Sequence, residues 1–137
     1  MLFALVSGGT LFLLDRWSKK AVQLRVAGRF LSWGTVLRIR YVTHLRPFYK
    51  RDNAGAVLLL LWLVSLVCAI VLRHSGSWFQ SPFAQIGLGL AFGGAAGNLL
   101  DILEHQHIVN FVDLRWWPVF NLADLGIVAG LLLAFLA

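Results

Sequence analysis

Gly93-Gly94-Ala95-Ala96-Gly97-Asn98-Leu99-Leu100-Asp101 and Phe120-Asn121-Leu122-Ala123-Asp124 are two short polar clusters cut into otherwise apolar stretches. Each ends in an aspartate with an asparagine three residues upstream. A carboxylate inside a hydrocarbon span costs on the order of several kcal/mol, so such acids face a polar cavity or a partner. The small residues of the first cluster allow close helix approach. Two matched clusters therefore point to one shared polar site between neighbouring helices.

The rest of the chain supplies the setting. Its 137 residues are 59% hydrophobic and 13% charged, with a mean hydropathy of +0.77. That is too apolar for an ordinary soluble domain of this length and reads as one integral membrane domain over residues 1–137. Stretches at about 1–15, 56–73, 82–101 and 120–137 approach the roughly 20 apolar residues that cross a bilayer. The expected fold is an all-α membrane protein with four transmembrane helices and a small β-sheet element in the first connection. Pro82 suits a first helical turn. The first stretch lacks a basic leader and a small-residue cleavage site, so it reads as a helix and not as a signal peptide.

The connection around Arg73-His74-Ser75-Gly76-Ser77 is brief, which places the first (about 16–55) and third (about 102–119) connections on one side of the membrane. Nearly all basic residues fall on that side, from Arg16, Lys19 and Lys20 through Arg51, with Arg115. In a membrane chain, a net charge of +6 meets anionic lipid headgroups, and nothing resembles base readout, so no nucleic-acid partner is expected. Within the first connection, Val36-Leu37-Arg38-Ile39-Arg40-Tyr41-Val42-Thr43 alternates with the period of a half-buried strand. Trp33-Gly34 marks a tight turn, and the β element is expected over about 24–50.

The stretch 82–101 runs toward the charged face and 120–137 runs back. Asp124 lies about one 3.6-residue turn inside its helix, so antiparallel neighbours bring Asp101 and Asp124 to similar depth. Two carboxylates sharing one proton let the charged member activate water while the protonated member donates to a carbonyl. This is aspartic-peptidase chemistry, with no metal and no cofactor. Each acid also admits a plainer role, pairing with a basic residue or capping a helix end. Cys68 is single, which excludes an internal disulfide or thiolate metal site. Glu104-His105-Gln106-His107 lacks the i, i+4 histidine pair of a helical zinc site and reads as a wet loop. The tryptophans fit an interfacial aromatic belt.

These residues resemble the bacterial lipoprotein signal peptidases (signal peptidase II), over almost the whole chain. Leu14-Asp15-Arg16-Trp17-Ser18-Lys19 is similar to the family's motif ending its first helix, and Asn53-Ala54-Gly55-Ala56 to its Asn-x-Gly-Ala segment. The two clusters are similar to its catalytic blocks, and Val109-Asn110-Phe111-Val112-Asp113 to its Val-Asp-Phe-x-Asp stretch. The resemblance implies Asp101 and Asp124 as a catalytic dyad. It implies positioning or substrate-binding roles for Asp15, Lys19, Asn53, Gly55, Asn98 and Asn121. It also implies substrates that are prolipoproteins carrying diacylglyceryl on a cysteine, and a location in the bacterial cytoplasmic (inner) membrane.

The sequence departs from the family at Ile102, where the family has arginine, at Asn110, where it has aspartate, and at Leu58, where it has phenylalanine. Losing a cationic contact beside a site removes positioning. These departures motivate an alternative: a catalytically weak or inactive relative serving as a structural or assembly subunit, with other membrane subunits as partners. A channel or transporter is disfavoured, because the polar residues gather at one face. Topology divides the arguments. The positive-inside rule places the charged face in the cytoplasm, whereas the resemblance places it, with the active site, outside. Four motifs in order are more specific than a charge count, so the extracytoplasmic placement is the expectation.

Overall fold

The computed structural model describes residues 1–26, 30–33, 36–44, 54–76 and 78–137. Four helices, α1 (Leu2–Arg25), α2 (Ala54–His74), α3 (Pro82–His105) and α4 (Leu122–Leu136), accompany three strands, β1 (Phe30–Trp33), β2 (Leu37–His44) and β3 (Ile108–Asp113). The helices α2 and α3 are long and apolar enough to cross a membrane, and α4 is a shorter apolar helix. Helix starts follow local chemistry. Ser81 accepts a hydrogen bond from the Ala84 amide with Pro82 in the first turn, and Asn121 caps α4. Such caps satisfy amides that have no partner inside the helix.

Small residues set the helix packing. A Cβ on Gly93 of α3 would strike the backbone of Gly8 on α1, and one on Gly130 of α4 would lie 2.5 Å from Ala91 N and Gly87 O of α3. Along the pairs Gly8–Gly93 and Asp15–Gly97 the numbers rise together, so α1 runs parallel to α3. Along Gly130–Gly87 and Ala123–Gly94 they run oppositely, so α4 is antiparallel to α3. The core is thus a three-helix unit of α1, α3 and α4. By contrast, α2 leans lightly on α3, and its apolar window contains no buried residue. Its one described side-chain hydrogen bond to the bundle runs from Trp62 Nε1 to the Phe92 carbonyl at 3.2 Å. The two rings meet edge-on at 6.0 Å.

The sheet is antiparallel in the order β1-β2-β3. The strands β1 and β2 fall inside the expected β element, although α1 continues past residue 15 to Arg25. The charged run Asp15–Lys20 does not end the helix, because Asp15 and Lys19 turn inward and are buried. A second difference is β3, which occupies the third connection and pairs with β2, setting Arg38 opposite Asp113. Its burial alternates, with Val109, Phe111 and Asp113 on the inner face. Of the expected Trp33-Gly34 turn, Gly34 lies outside the described residues.

The glycine contacts predict a sharp positional contrast. Gly130→Leu should wreck the α3–α4 contact, since overpacking costs about 1–3 kcal/mol or more. Gly9→Ala should be tolerated, because nothing lies within 4 Å of the added Cβ. Thermal unfolding of the two purified variants in detergent checks this. Equal melting temperatures would refute the packing scheme.

Candidate active site

The polar centre is assembled from the ends of α1, α3 and α4 and from β3. Lys19 is its hub: Nζ lies 2.6 Å from Asp15 Oδ2, 2.8 Å from Asp101 Oδ2 and 3.0 Å from Asn98 Oδ1. The amide oxygen accepts a hydrogen bond, and the two carboxylates are held as ion pairs. Asp15 Oδ1 accepts from the Ala123 amide at 2.9 Å, tying α1 to the first turn of α4. Asp101 Oδ1 receives the Arg16 guanidinium at 3.1 Å, which also reaches Glu104 at 2.9 Å. The Val109 amide of β3 donates to Asp101 Oδ2 at 3.3 Å. Asp101 is thereby closed in by two cations and a backbone amide, at 2% exposure.

Asp124 sits differently. Asn98 Nδ2 donates to its Oδ1 at 2.8 Å, and the Asn121 amide donates to its Oδ2 at 3.1 Å. Asn121 Oδ1 accepts from the Asp124 amide in return, so the two residues form a reciprocal capping box. Asn121 Nδ2 lies 2.9 Å from Asn98 Oδ1, 2.9 Å from Asn110 Oδ1 and 3.1 Å from the Val109 carbonyl. The structure thus joins Asp101 and Asp124 in one network, with Lys19 and Asn98 between them. Both plainer roles are realised as well: Asp101 pairs with bases, and Asp124 caps a helix.

A groove of about 910 Å³ runs from this centre between α2 and α4, over α3. Its polar end is formed by Asn98, Asn110 and Asp124, and the remainder is apolar apart from Ser65. Among the described residues Asp124 is the one carboxylate on its wall; Asp101 lies behind. Of the other expected site residues, Asp15, Lys19, Asn98 and Asn121 all belong to the network. Gly55 lies apart at the start of α2, where a Cβ would come within 2.9 Å of Leu103. Asn53 lies outside the described residues. No group of three or more potential metal ligands occurs among the described residues.

Two contributors were not picked out as site residues from the sequence. Arg16 comes from α1 to the carboxylate of Asp101, at the helix end where Ile102 is buried and offers no cation. Asn110 reaches the groove because β3 turns alternate residues outward from Val109 and Phe111. The signal was present in the alternation of residues 109–113.

Fold and site together define a helical bundle of the membrane type, with a carboxylate–amide centre at the end of an apolar groove. The chain belongs to the Signal peptidase (SPase) II family, whose profile matches residues 8–137. It is 38% identical over 106 residues to a lipoprotein signal peptidase of Rhodococcus jostii, covering 73% of this chain and 52% of the relative. It is 52% identical over 72 residues to that of Moorella thermoacetica, covering 51% and 48%. With that of Pelotomaculum thermopropionicum it shares 32% over 138 residues, covering 94% and 86%. The chain spans about half the length of the first two of these relatives. Two solved structures described as a bacterial membrane enzyme share the fold, with TM-scores of 0.78 and 0.79 at 18% identity. They cover 97% of this chain and 85% and 90% of theirs.

The network makes Lys19 the residue whose loss should be felt most. Lys19→Met would leave Asp15 and Asp101 buried against each other, and breaking a buried pair costs about 3–5 kcal/mol. A marked fall in melting temperature is expected, larger than for Lys20→Met, which removes an exposed charge. Comparable melting of the two variants would show that the hub carries no stability.

Proposed function

We propose that this protein is a peptidase that removes signal peptides from diacylglyceryl-modified prolipoproteins, by aspartyl catalysis. The carrying observation is the groove: a long apolar trough ending on the carboxylate of Asp124 with amides on either side. An apolar signal segment fills the trough and brings its scissile bond to that end. Asp124 takes a proton from the attacking water and returns it to the leaving amine. The amides of Asn98 and Asn110 offer donors to the carbonyl oxygen as it gains charge. Asp101, expected as the second member of a dyad, acts in this reading through Lys19 and Asn98 to hold Asp124 in place, since its own oxygens are occupied.

A second reading has its own observation. Asn110 lines the groove beside Asp124, where the Val-Asp-Phe-x-Asp stretch of the family carries aspartate. An amide cannot hold or release a proton, so a groove with one carboxylate can bind the signal peptide and leave it uncut. This is the weak or inactive relative, acting as a holding or assembly subunit. Cleavage of a lipid-modified precursor by the purified protein separates the two. In the peptidase reading Asp124→Asn should lower the rate by about 10²–10⁴-fold, Asp101→Asn should lower it too, and chelators should have no effect. Normal turnover by Asp124→Asn would sink that reading. Precursor binding without cleavage, with cleavage appearing in Asn110→Asp, would establish the second.

The same reading places residues 1–137 as one multi-pass domain in the bacterial inner membrane, all four helices spanning it, with the site on the extracytoplasmic face. Ser32 on β1 and Ser75 after α2 are both exposed and would lie on opposite sides. In a Cys68→Ala background, Ser32→Cys should react with a membrane-impermeant thiol reagent on intact cells and Ser75→Cys should not. The reverse pattern would put the site in the cytoplasm.

A further inference from the structure

The groove is open along its side, since α2 and α4 form its walls without extensive contact between them. At the end remote from Asp124 its lining is aromatic, with Phe79 and Phe135 on the wall. Phe135 of α4 meets Phe79 of the α2–α3 connection with ring centroids 5.5 Å apart. Trp78 completes the cluster, 6.0 Å from Phe79 and 6.2 Å from Phe135. Phe79 is anchored. It is buried among Ala84, Leu88 and Ala134, and its carbonyl accepts from the Arg73 guanidinium at 2.8 Å. Its backbone adopts a φ of 56°, a region that bulky residues occupy only when their surroundings hold them there. Phe135 leans on this anchor from the other wall.

We propose that the Phe79–Phe135–Trp78 cluster is a length stop that selects signal peptides by the extent of their apolar segment. This rests on the assignment of the groove to the signal peptide. Asp124 and Phe135 stand eleven positions apart on α4, about 16 Å at a helical rise of ~1.5 Å per residue. A substrate helix lying beside α4 has the same rise, so about eleven of its residues fit between the scissile bond and the rings. Apolar regions of signal peptides run from roughly 7 to 15 residues, so the stop divides the natural range. A shorter segment leaves apolar wall uncovered. A longer one must displace a ring or push the scissile bond past Asp124.

The test measures binding, so it does not depend on turnover. The full chain is placed in nanodiscs of phosphatidylethanolamine and phosphatidylglycerol. Fluorescent precursors with a diacylglyceryl cysteine and leucine segments of roughly 7 to 15 residues are titrated against it. Affinity should peak near eleven. Phe135→Ala should move the peak about one turn longer, or about four residues, and Phe135→Tyr should leave it in place. Leu131→Trp, which adds bulk to the groove one turn nearer Asp124, should move it about four residues shorter. The opposed shifts keep the test decisive if either variant fails to fold. Equal affinity at every length, or an unmoved peak in the folded variants, would overturn the stop while leaving the groove assignment intact. Binding of no precursor at any length would overturn the groove assignment and the stop with it.

Discussion

A single ammonium, Lys19 Nζ, holds the functional end of this bundle together. It is buried with two carboxylates and an amide oxygen within 3.0 Å. In a low-dielectric interior each charge is costly alone, and the set is tolerable because the opposite charges lie together. That requirement has geometric consequences. Asp15 and Lys19 are one turn apart on α1, Asp101 and Asn98 nearly one turn apart on α3, so satisfying Lys19 fixes how those two parallel helices face each other. Asp15 then reaches the Ala123 amide and fixes α4. Glycines at the crossings permit the approach, and the charge cluster decides where along the helices it occurs.

The groups that hold the fold together are also those to which the chemistry is proposed to fall. Asp124 is the third residue of a capping box, so the cap that starts α4 also orients the carboxylate on the groove wall. A negative charge there is favoured by the positive end of the helix dipole. Asn98 and Asn121, which brace that carboxylate, are in turn held by Lys19 and by β3. The centre is therefore pre-organised before any substrate arrives, which is what a site stabilising developing charge requires.

Much of this was legible in the sequence. The paired Asn-x-x-Asp clusters pointed to one polar centre, and Asn98, Asp101, Asn121 and Asp124 do meet in one network. The helices α2 and α3 followed from hydropathy, and β2 from its period of two. What escaped detection has physical reasons. The run Asp15–Lys20 looks like a membrane exit, since one-dimensional hydropathy cannot show that Asp15 and Lys19 neutralise each other inside the fold. The strand β3 is short and depends on β2 for its hydrogen bonds, so local propensity alone gives it little support. That Asn110 lies on the groove wall depends on which way a six-residue strand presents its side chains, a fact fixed by pairing and not by composition.

The contrast between the two aspartates carries the chemical argument furthest. Membership of one network does not make them equivalent. Asp101 spends its lone pairs on Arg16, Lys19 and the Val109 amide. Asp124 has only neutral partners, two N–H groups from Asn98 and Asn121, and it faces the groove. A group that exchanges protons with water and substrate needs access to both. Asp124 stands on the groove wall and Asp101 behind it, which is why the proposed reaction is written on Asp124. Asn110 lines the same end of the groove as Asp124, so among the described residues the proposed reaction has one groove-facing carboxylate and a neutral amide near it.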